Sequence, residues 1–301
     1  MTVSNSAVSA VSAVSSAVES AFPFECSKQR LTGPEGVQTP FYGIFRSDNW
    51  ETVGNTCSSR YVPHTTDDVK ALAEACSHAY DHDVNINCHF RDGHHVTMAP
   101  TNAEMLKVYG SDVVFPRIAI AFRYDGKACK ASMALFRPIC KNMEMFHTVK
   151  SCHVSIRHTS NLRNQMDSLI DTFSNLRNSW TDLSAVIETM ESRSVRMTEF
   201  LDSVYGPAPT ESGRGRTQHE NRTRAIFERL ERERMQTGRG LMTRANNFQV
   251  SGWEAYNAIQ GYHQHTATRK TGFDNMADRI ISTANATPVK TAEKLILEMS
   301  A

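Results

Sequence analysis

Alternation of apolar and polar positions predicts β-strands over much of the first half of the chain. Val113 to Tyr124 and Ala128 to Arg137 are two long alternating runs joined by Asp125-Gly126. Because Asp-Gly readily adopts the positive φ angles of a two-residue turn, this pattern predicts a long β-hairpin. Further strand signals are a second hairpin pattern with Asp-Gly at its centre, from Val84 to Met98, and an alternating run from Cys152 to Arg157.

Helical periodicity dominates the second half of the chain. Before it, a proline followed by an acidic capping segment predicts one helix from Val69 to Cys76. After Thr159 apolar residues recur at three- and four-residue steps, which predicts helices at about 162–204, 220–235, 252–266 and 291–299. A Gly-Pro-Ala-Pro sequence interrupts this pattern, and the Gly- and Arg-rich stretch at about 206–219 is predicted to be a flexible loop.

The order of these elements predicts an α+β fold. Its strand-rich N-terminal half carries a long β-hairpin and one helix, and its C-terminal half is helical. We place the strand-rich part at 41–158 and the helical part at 159–301, packed together as one unit. Residues 1–40 are expected to be a low-complexity or flexible segment, because Ser, Ala and Val repeat through its first half. No apolar run approaches the roughly 18 residues of a transmembrane helix.

Charge is distributed in blocks along the chain. Its 33 Lys and Arg and 32 Asp and Glu give a formal net charge of +1. Residues 115–157, however, carry eight basic and two acidic side chains, and residues 212–244 carry nine Arg and four Glu, so the local charges are +6 and +5. The segments before these blocks, 1–114 and 158–211, carry −6 and −4. The neutral total therefore conceals two basic segments that can attract a polyanion.

The first basic block lies on the predicted hairpin and is interleaved with aromatic residues. Such a combination binds single-stranded nucleic acid, because rings stack on bases while cations contact phosphates. Alternation places Arg117 and Arg123 on one face and most rings on the other, so an amphipathic hairpin with a solvated basic face is the competing interpretation. The candidate nucleic-acid ligands in this block are Arg117, Arg123, Tyr124, Lys127, Lys130 and Lys141.

The second basic block contains arginine as its only cation. Arg presents a planar fork that matches phosphate, and Gly-Arg-Gly at 213–215 and 238–240 leaves the backbone free to follow a ligand. The competing interpretation is that glutamates of the block pair with neighbouring arginines on an exposed helix, which we adopt for the helix centre around Arg229. The candidate ligands are the flanking residues Arg214, Arg216, Arg222, Arg239 and Arg244.

Catalytic signatures are missing from the sequence. Phosphate-cradling, dinucleotide-binding, nucleophile-elbow and HExxH motifs are absent, so no catalytic residue and no cofactor is predicted. Two groups of His and Cys, at 147–158 and 88–95, lack familiar zinc-ligand spacing, and no metal site is assigned. Asp81, Asp83 and Asp92 leave a metal-dependent nuclease as an alternative. Seven scattered cysteines and a start without a secretory apolar core predict a reducing cytoplasm.

Several segments resemble those of a known family and occur in the same order. They include Arg137-Pro138-Ile139-Cys140-Lys141-Asn142-Met143 and Gly252-Trp253-Glu254-Ala255-Tyr256-Asn257-Ala258. Over about residues 50–300 the chain resembles the phage- and plasmid-encoded family of unknown function called phage/plasmid-like protein. Members commonly have Ser-His before Asp-Gly, where this chain has Tyr124. For Trp253, Asn257 and Tyr262 the helical spacing favours packing roles.

A second resemblance concerns size and the two-part layout. In these respects the chain is similar to the single-stranded DNA-binding transcription regulators, called Drc, of lytic podoviruses, although this resemblance fixes no ligand residue. The resemblance to the phage/plasmid-like family implies a phage protein that acts in the cytoplasm of an infected bacterium.

Charge pattern and resemblance together predict a non-enzymatic, phage-encoded protein that binds single-stranded DNA with little sequence preference. It would act in viral transcription or DNA replication. Further candidate partners are a phage RNA polymerase and a second copy of the chain, and no membrane is expected. The alternatives are a single-strand annealing recombination protein and a protein-binding module that recruits a polymerase.

Overall fold

The computed structural model describes residues 5–80, 84–90, 92–101, 105–126, 128–144, 146, 153–162, 164–165, 168, 176–242, 248–267 and 282–299. The strands are β1 (Cys26–Thr32), β2 (Gln38–Arg46), β3 (Thr52–Cys57), β4 (Val84–Phe90), β5 (Gly93–Pro100), β6 (Leu106–Tyr109), β7 (Asp112–Arg123), β8 (Cys129–Arg137), β9 (Asn142–Glu144), β10 (His153–Ile156), β11 (Ser194–Arg196) and β12 (Gln249–Ser251). The helices are α1 (Asn5–Ala21), α2 (Thr66–Tyr80), α3 (Leu176–Ser192), α4 (Met197–Tyr205), α5 (Arg214–Thr237), α6 (Gly252–Tyr262) and α7 (Thr287–Glu298). The α+β prediction is confirmed.

A seven-stranded sheet forms the centre of the fold. Its order is β10-β8-β7-β5-β4, with β6 beside β7 and β9 beside β8, and the paired strands are antiparallel. Both predicted hairpins are present, β4 with β5 and β7 with β8. The first turns tightly because Asp92 and Gly93 adopt φ angles of 53° and 153°, as an Asp-Gly turn allows. A separate sheet of order β1-β2-β3 precedes α2.

One face of the central hairpin lies in the hydrophobic core. Ile118, Ile120 and Phe122 are fully buried, as expected for alternate positions that point to the same side of a strand. At the sheet edge, α1 packs on α2 and β4. In the second half α6 is the central helix, and it contacts α3, α5, α7 and strand β9. Strand β9 and helix α6 therefore join the two halves.

The N-terminal segment differs from the expectation. Residues 1–40 were expected to be low-complexity or flexible, but Asn5–Ala21 is a helix, and β1 and β2 follow it. Val14 and Val18 are fully buried, and Phe22 is 2% exposed. Valines four residues apart occupy one side of a helix, so the serines between them conceal a narrow apolar stripe. For residues 5–40 the prediction of flexibility is wrong.

The arginine-rich loop is also shorter than predicted. Helix α5 begins at Arg214 and not near residue 220, which leaves 206–213 as the connection from α4. Ile226 and Leu230 anchor the helix in the core, and the backbone continues as a helix for three turns before them. The predicted helical period from 162 lies partly outside the described residues. No helix in the described part of the chain is both long and apolar enough to span a bilayer.

Candidate nucleic-acid interface

The basic face of the β7–β8 hairpin is partly covered. Arg117 and Arg123 lie on this face together with Ala121, at alternate positions of β7, and Lys130 of β8 pairs with Ala121. All three cations are half-buried. Arg123 pairs with Asp125 (Nη2 to Oδ2, 2.7 Å), and the Arg117 guanidinium lies 4.9 Å from the centre of a phenylalanine ring. Three alanines between these cations are buried with Ala284. The face is therefore not an open cationic platform.

Tyr124 does not face solvent. Its side chain is fully buried, its ring stacks on the imidazole of His64 with 4.2 Å between centroids, and its hydroxyl donates to the His64 carbonyl oxygen at 2.9 Å. Burial also raises the pKa of this phenol well above its usual value. The prediction that Tyr124 stacks on DNA bases is wrong, because its ring is packed in the core against His64.

The remaining cations predicted on the first block have different positions. Lys141 is exposed in the turn between β8 and β9, where its φ is 55°. Lys127 lies outside the described residues, as does Arg244 of the second block. Of the first block, Lys141 is thus the predicted ligand that the structure leaves accessible.

The predicted arginines of α5 divide into exposed and covered groups. Arg214 and Arg216 are exposed in its first turn, where Arg216 pairs with Glu220 one turn later (Nε to Oε1, 2.9 Å). Arg222 is half-buried, with its guanidinium 4.0 Å from the centre of the Tyr205 ring. Both exposed arginines lie within helix α5. Their positions are therefore set by the helix and not by a loop.

Arg239 is held by carboxylates of the protein itself. Its guanidinium pairs with Glu191 (Nη2 to Oε1, 2.7 Å) and Glu254 (Nη1 to Oε2, 3.5 Å), and the side chain is 9% exposed. Arg234 pairs with Glu254 as well (2.5 Å). Arg239 is therefore not an open loop cation, because Glu191 and Glu254, which are distant in sequence, hold its two Nη atoms.

A buried charge network lies between the sheet and α5. Arg137 donates twice to Asp112, Nε to Oδ1 and Nη2 to Oδ2, both at 2.7 Å, and its third nitrogen reaches Glu233 at 2.5 Å. The indole Nε1 of Trp253 donates to the same Asp112 carboxylate at 3.1 Å. These side chains are almost completely buried. A bidentate Arg–carboxylate pair inside a protein fixes geometry strongly.

The network continues toward α6 through side-chain amides. Arg229 pairs with Glu233 (Nε to Oε1, 2.9 Å) and donates to Asn142 Oδ1 at 2.9 Å. Asn142 in turn donates to the carbonyl oxygen of Asn257 at 3.2 Å. Gly261 leaves room for the guanidinium, since a β-carbon there would lie 2.0 Å from Arg229 Nε. Arg229 is thus buried, whereas the sequence placed it on an exposed face.

This network collects the segments that carry the family resemblance. The Arg and Asn of the 137–143 segment meet the Trp and Asn of the 252–258 segment in one interior. Trp253 and Asn257 are fully buried, which confirms their predicted packing roles, and Tyr262 packs partly buried against the same core.

Much of the basic excess is neutralised inside the protein. The buried or nearly buried arginines Arg137, Arg229, Arg234 and Arg239 pair with Asp112, Glu191, Glu233 and Glu254. Three of these acids lie outside the two basic blocks of the sequence. The local charges of +6 and +5 therefore overstate the positive field at the surface.

A cleft beside this network contains a cation that the sequence analysis missed. Its volume is about 420 Å³, and its lining includes Tyr109, Arg193, Arg234, Arg239 and Glu254. The Nε and Nη1 atoms of Arg193 are buried and have no hydrogen-bond partner in the described structure. Tyr109 is 46% exposed. Arg193 lies in the acidic segment 158–211. The distribution of charge along the sequence therefore did not indicate it as a ligand.

Comparison with known protein families places this chain. Residues 55–286 match the family described as a domain of unknown function, DUF932. The chain belongs to the DUF932 family. No curated protein and no solved structure matches it significantly. The DUF932 match includes the whole buried network and the cleft, whereas α1, β1 and β2 precede it.

The DUF932 region also contains a compact group of potential metal ligands. His64, Cys129 and His158 each offer one ligand atom, and these atoms lie within 4.8 Å of one another. Burial lowers the pKa of His64 and of His158 and raises that of the Cys129 thiol. The imidazoles are therefore neutral at physiological pH, which is the form that binds metals.

The sequence pointed to only one of these three ligands. His158 belonged to the His and Cys group at 147–158, whose His147 and Cys152 lie outside the described residues. The group at 88–95 does not converge, because pairing of His89 with His95 and of Cys88 with Val96 puts its members on both faces of the sheet. His64 and Cys129 are 65 residues apart, and no spacing rule connects them. Of the nuclease candidates, Asp81 and Asp83 also lie outside the described residues.

Proposed function

We propose that this DUF932 protein is a phage-encoded, non-enzymatic protein that binds single-stranded DNA with little sequence preference. It acts in viral transcription or DNA replication in the cytoplasm of the infected bacterium. The proposal places the principal DNA contacts in the cleft beside α5, with the exposed cations of the α5 start as secondary contacts.

Arg193 carries this proposal. Two of its buried donors, Nε and Nη1, lack a hydrogen-bond partner, and burying unpaired donors lowers the stability of the fold. A phosphate oxygen can accept hydrogen bonds from a guanidinium with good geometry. The cleft holds three guanidinium groups, of Arg193, Arg234 and Arg239, against two carboxylates, of Glu191 and Glu254. Its surplus positive charge thus coincides with its unsatisfied donors, as an anionic ligand requires.

Tyr109 supports single-stranded rather than double-stranded DNA. Its half-exposed ring lies beside this cleft, and the Arg239 guanidinium covers it at 4.0 Å from the ring centre. Stacking on such a ring requires an unpaired base, and it tolerates any sequence because every base has a flat face. In this proposal Tyr109, and not the buried Tyr124, is the ring on which a base stacks.

A salt titration tests this function. Fluorescence anisotropy with labelled single-stranded DNA, double-stranded DNA and RNA of equal length should give the tightest binding for single-stranded DNA. Two to three neutralised phosphates predict a slope of log K against log salt of about −1.4 to −2.1 for a single strand. No measurable affinity for any strand, or binding that salt does not weaken, would contradict the proposal.

A protein-binding module remains the second candidate, on a specific observation. Phe41 in β2 is 56% exposed and Trp50 in the β2–β3 turn is 63% exposed. Large rings exposed near each other in sequence are typical of interaction surfaces. Retention of purified phage RNA polymerase by the wild type after nuclease treatment, with loss of retention in Trp50→Ala, would favour this function.

A further inference from the structure

His64, Cys129 and His158 come from three separate segments. His64 precedes α2, Cys129 is the first residue of β8, and His158 follows β10. Strand pairing places Ile156 opposite Cys129, and the backbone amide of Val62 donates to the His158 carbonyl oxygen at 3.2 Å. The Cys129 sulfur is 3.2 Å from His158 Nε2 and 4.0 Å from His64 Nδ1.

The hydrogen bond of His158 to the backbone indicates which of its ring nitrogens carries the proton. His158 Nδ1 lies 3.0 Å from the carbonyl oxygen of Val62. A carbonyl oxygen only accepts, so the neutral tautomer that satisfies Val62 has its proton on Nδ1 and presents the Nε2 lone pair to Cys129.

A longer chain of hydrogen bonds orients His64. The Thr66 hydroxyl donates to the Phe24 carbonyl oxygen at 3.0 Å, so it accepts from His94 Nε2 at 3.5 Å. His94 Nδ1 must then accept from His64 Nε2, 2.9 Å away. His64 Nδ1 is left with a lone pair that also faces Cys129, so two imidazole lone pairs converge on one thiol.

We propose that Cys129, His64 and His158 bind one zinc ion through Sγ, Nδ1 and Nε2. Zinc–sulfur and zinc–nitrogen bonds of roughly 2.3 and 2.0–2.1 Å at a tetrahedral angle separate sulfur from nitrogen by about 3.6 Å. The observed separations of 3.2 and 4.0 Å lie on either side of this value. On binding, the thiol releases its proton to solvent and the thiolate becomes the ligand.

The surroundings match those of a metal centre. The carbonyl of Val62 and the ring of His94 occupy the outer positions, where partners of ligating histidines hold the tautomer and ring orientation. Tyr61 stacks on His158 at 4.4 Å, and Tyr124 stacks on His64 at 4.2 Å. Three protein ligands leave one coordination position for an exogenous donor.

An ordinary packed cluster explains the arrangement less well. A single S–H can donate to one imidazole lone pair, so the other would remain a buried acceptor without a partner, which is unfavourable. A metal ion satisfies both lone pairs and the sulfur together. It would also tie the segment before α2 to β8 and β10.

Cobalt and zinc titrations of the full-length, metal-free protein test the site. We expect one Co²⁺ per chain, with visible d–d bands of a tetrahedral ion and a near-ultraviolet sulfur-to-cobalt charge-transfer band, both lost when Zn²⁺ is added. Cobalt that does not bind at this ratio, or that binds without the charge-transfer band, overturns the proposal from the wild type alone.

Variants locate the site. Cys129→Ser should lose the charge-transfer band and weaken zinc binding more than about 100-fold, since even outer partners of metal ligands are worth about 10–100-fold. Cys76→Ser, which changes another fully buried cysteine, in α2, should bind zinc as the wild type does. His94→Phe should weaken zinc binding about 10- to 100-fold with the band retained. Equal zinc affinity in Cys129→Ser and wild type would overturn the assignment.

Discussion

Arg137 and Asp112 form a bidentate ion pair in the protein interior. Arg137 Nε donates to Asp112 Oδ1 and Nη2 donates to Oδ2, both at 2.7 Å. The pair links the end of β8 to the start of β7. Glu233 of α5 and Trp253 of α6 complete it. One of the contacts between the strand-rich and helical parts of the fold is thus an arginine whose three nitrogens are all satisfied.

Removing this arginine should strongly destabilise the protein. Arg137→Met leaves the buried Asp112 carboxylate without its cation and leaves Glu233 with Arg229 alone, and breaking a buried ion pair typically costs about 3–5 kcal/mol. Urea denaturation followed by circular dichroism measures the change. As the control, Arg46→Met removes an arginine from the more exposed Arg46–Asp48 pair and should cost about 1 kcal/mol or less. Similar losses in the two variants would show that the buried network adds little to stability.

Arg193 should contribute to DNA affinity without contributing to the fold. Because it neutralises one phosphate in the proposed complex, Arg193→Ala should weaken single-stranded DNA binding and make the salt slope shallower by about 0.7. Arg196→Ala, three residues away and paired with the exposed Glu199, is the matched control and should bind as the wild type does. Anisotropy titrations at four salt concentrations give both slopes. Unchanged binding in Arg193→Ala would remove the cleft from the proposed interface.

The exposed start of α5 should add secondary phosphate contacts. The double variant Arg214→Ala with Arg216→Ala should weaken binding and reduce the salt slope by up to about 1.4, the value for two phosphates on a single strand. Arg229→Ala is unsuitable as the control because Arg229 is buried in the charge network. Arg30→Ala, an exposed arginine of the separate β1-β2-β3 sheet, replaces it and should leave the slope unchanged.

His263 should make stability depend on pH. Burial, with the nearby Arg222 adding to the effect, lowers its pKa to about 4 from the ordinary 6.5, and its Nε2 lies 3.0 Å from the Tyr205 hydroxyl. The unfolded chain binds a proton near pH 6.5 and the folded protein only near pH 4. This contribution to stability is therefore complete above about pH 6.5 and is lost as the pH falls toward 4.

The size of this effect is up to about 3 kcal/mol, at about 1.4 kcal/mol per pKa unit. Urea midpoints of wild type and His263→Gln between pH 7.5 and 4 provide the comparison. The wild type should lose more stability than the variant over this interval, and parallel curves would show that His263 does not contribute.

The N-terminal helix should stabilise the whole protein. Val18 is fully buried, so Val18→Asp places an unpaired carboxylate in the core and should cost about 3 kcal/mol or more. Ala13→Asp, on the exposed side of the same helix, should change stability by about 0.5 kcal/mol or less. Thermal denaturation distinguishes the two variants. Equal, small effects would indicate a helix that does not pack on α2 and β4 in solution.

The sequence by itself determined the helices and hairpins that depend on neighbouring residues. Both Asp-Gly hairpins, α2 after its acidic cap, and the helices of the second half were predictable, because turn chemistry and periodicity act over a few neighbouring residues. Alternation also predicted that Ile118, Ile120 and Phe122 share the core face. The repetition of Ser, Ala and Val concealed α1, since two valines four residues apart are enough for one buried stripe.

The positions that decide chemistry depend on the tertiary structure. Charge blocks indicated where arginines are dense, but an arginine is available to a ligand only if no carboxylate distant in sequence reaches it. Asp112 and Glu233 bind Arg137, Glu191 and Glu254 bind Arg239, and the folded protein leaves two buried donors of Arg193, Nε and Nη1, without a hydrogen-bond partner. His64, Cys129 and His158 likewise meet only in the folded protein, through the pairing of β8 with β10 and the backbone contact of the segment before α2 with His158. Electrostatic pairing and metal ligation depend on distances in space, which the sequence does not contain.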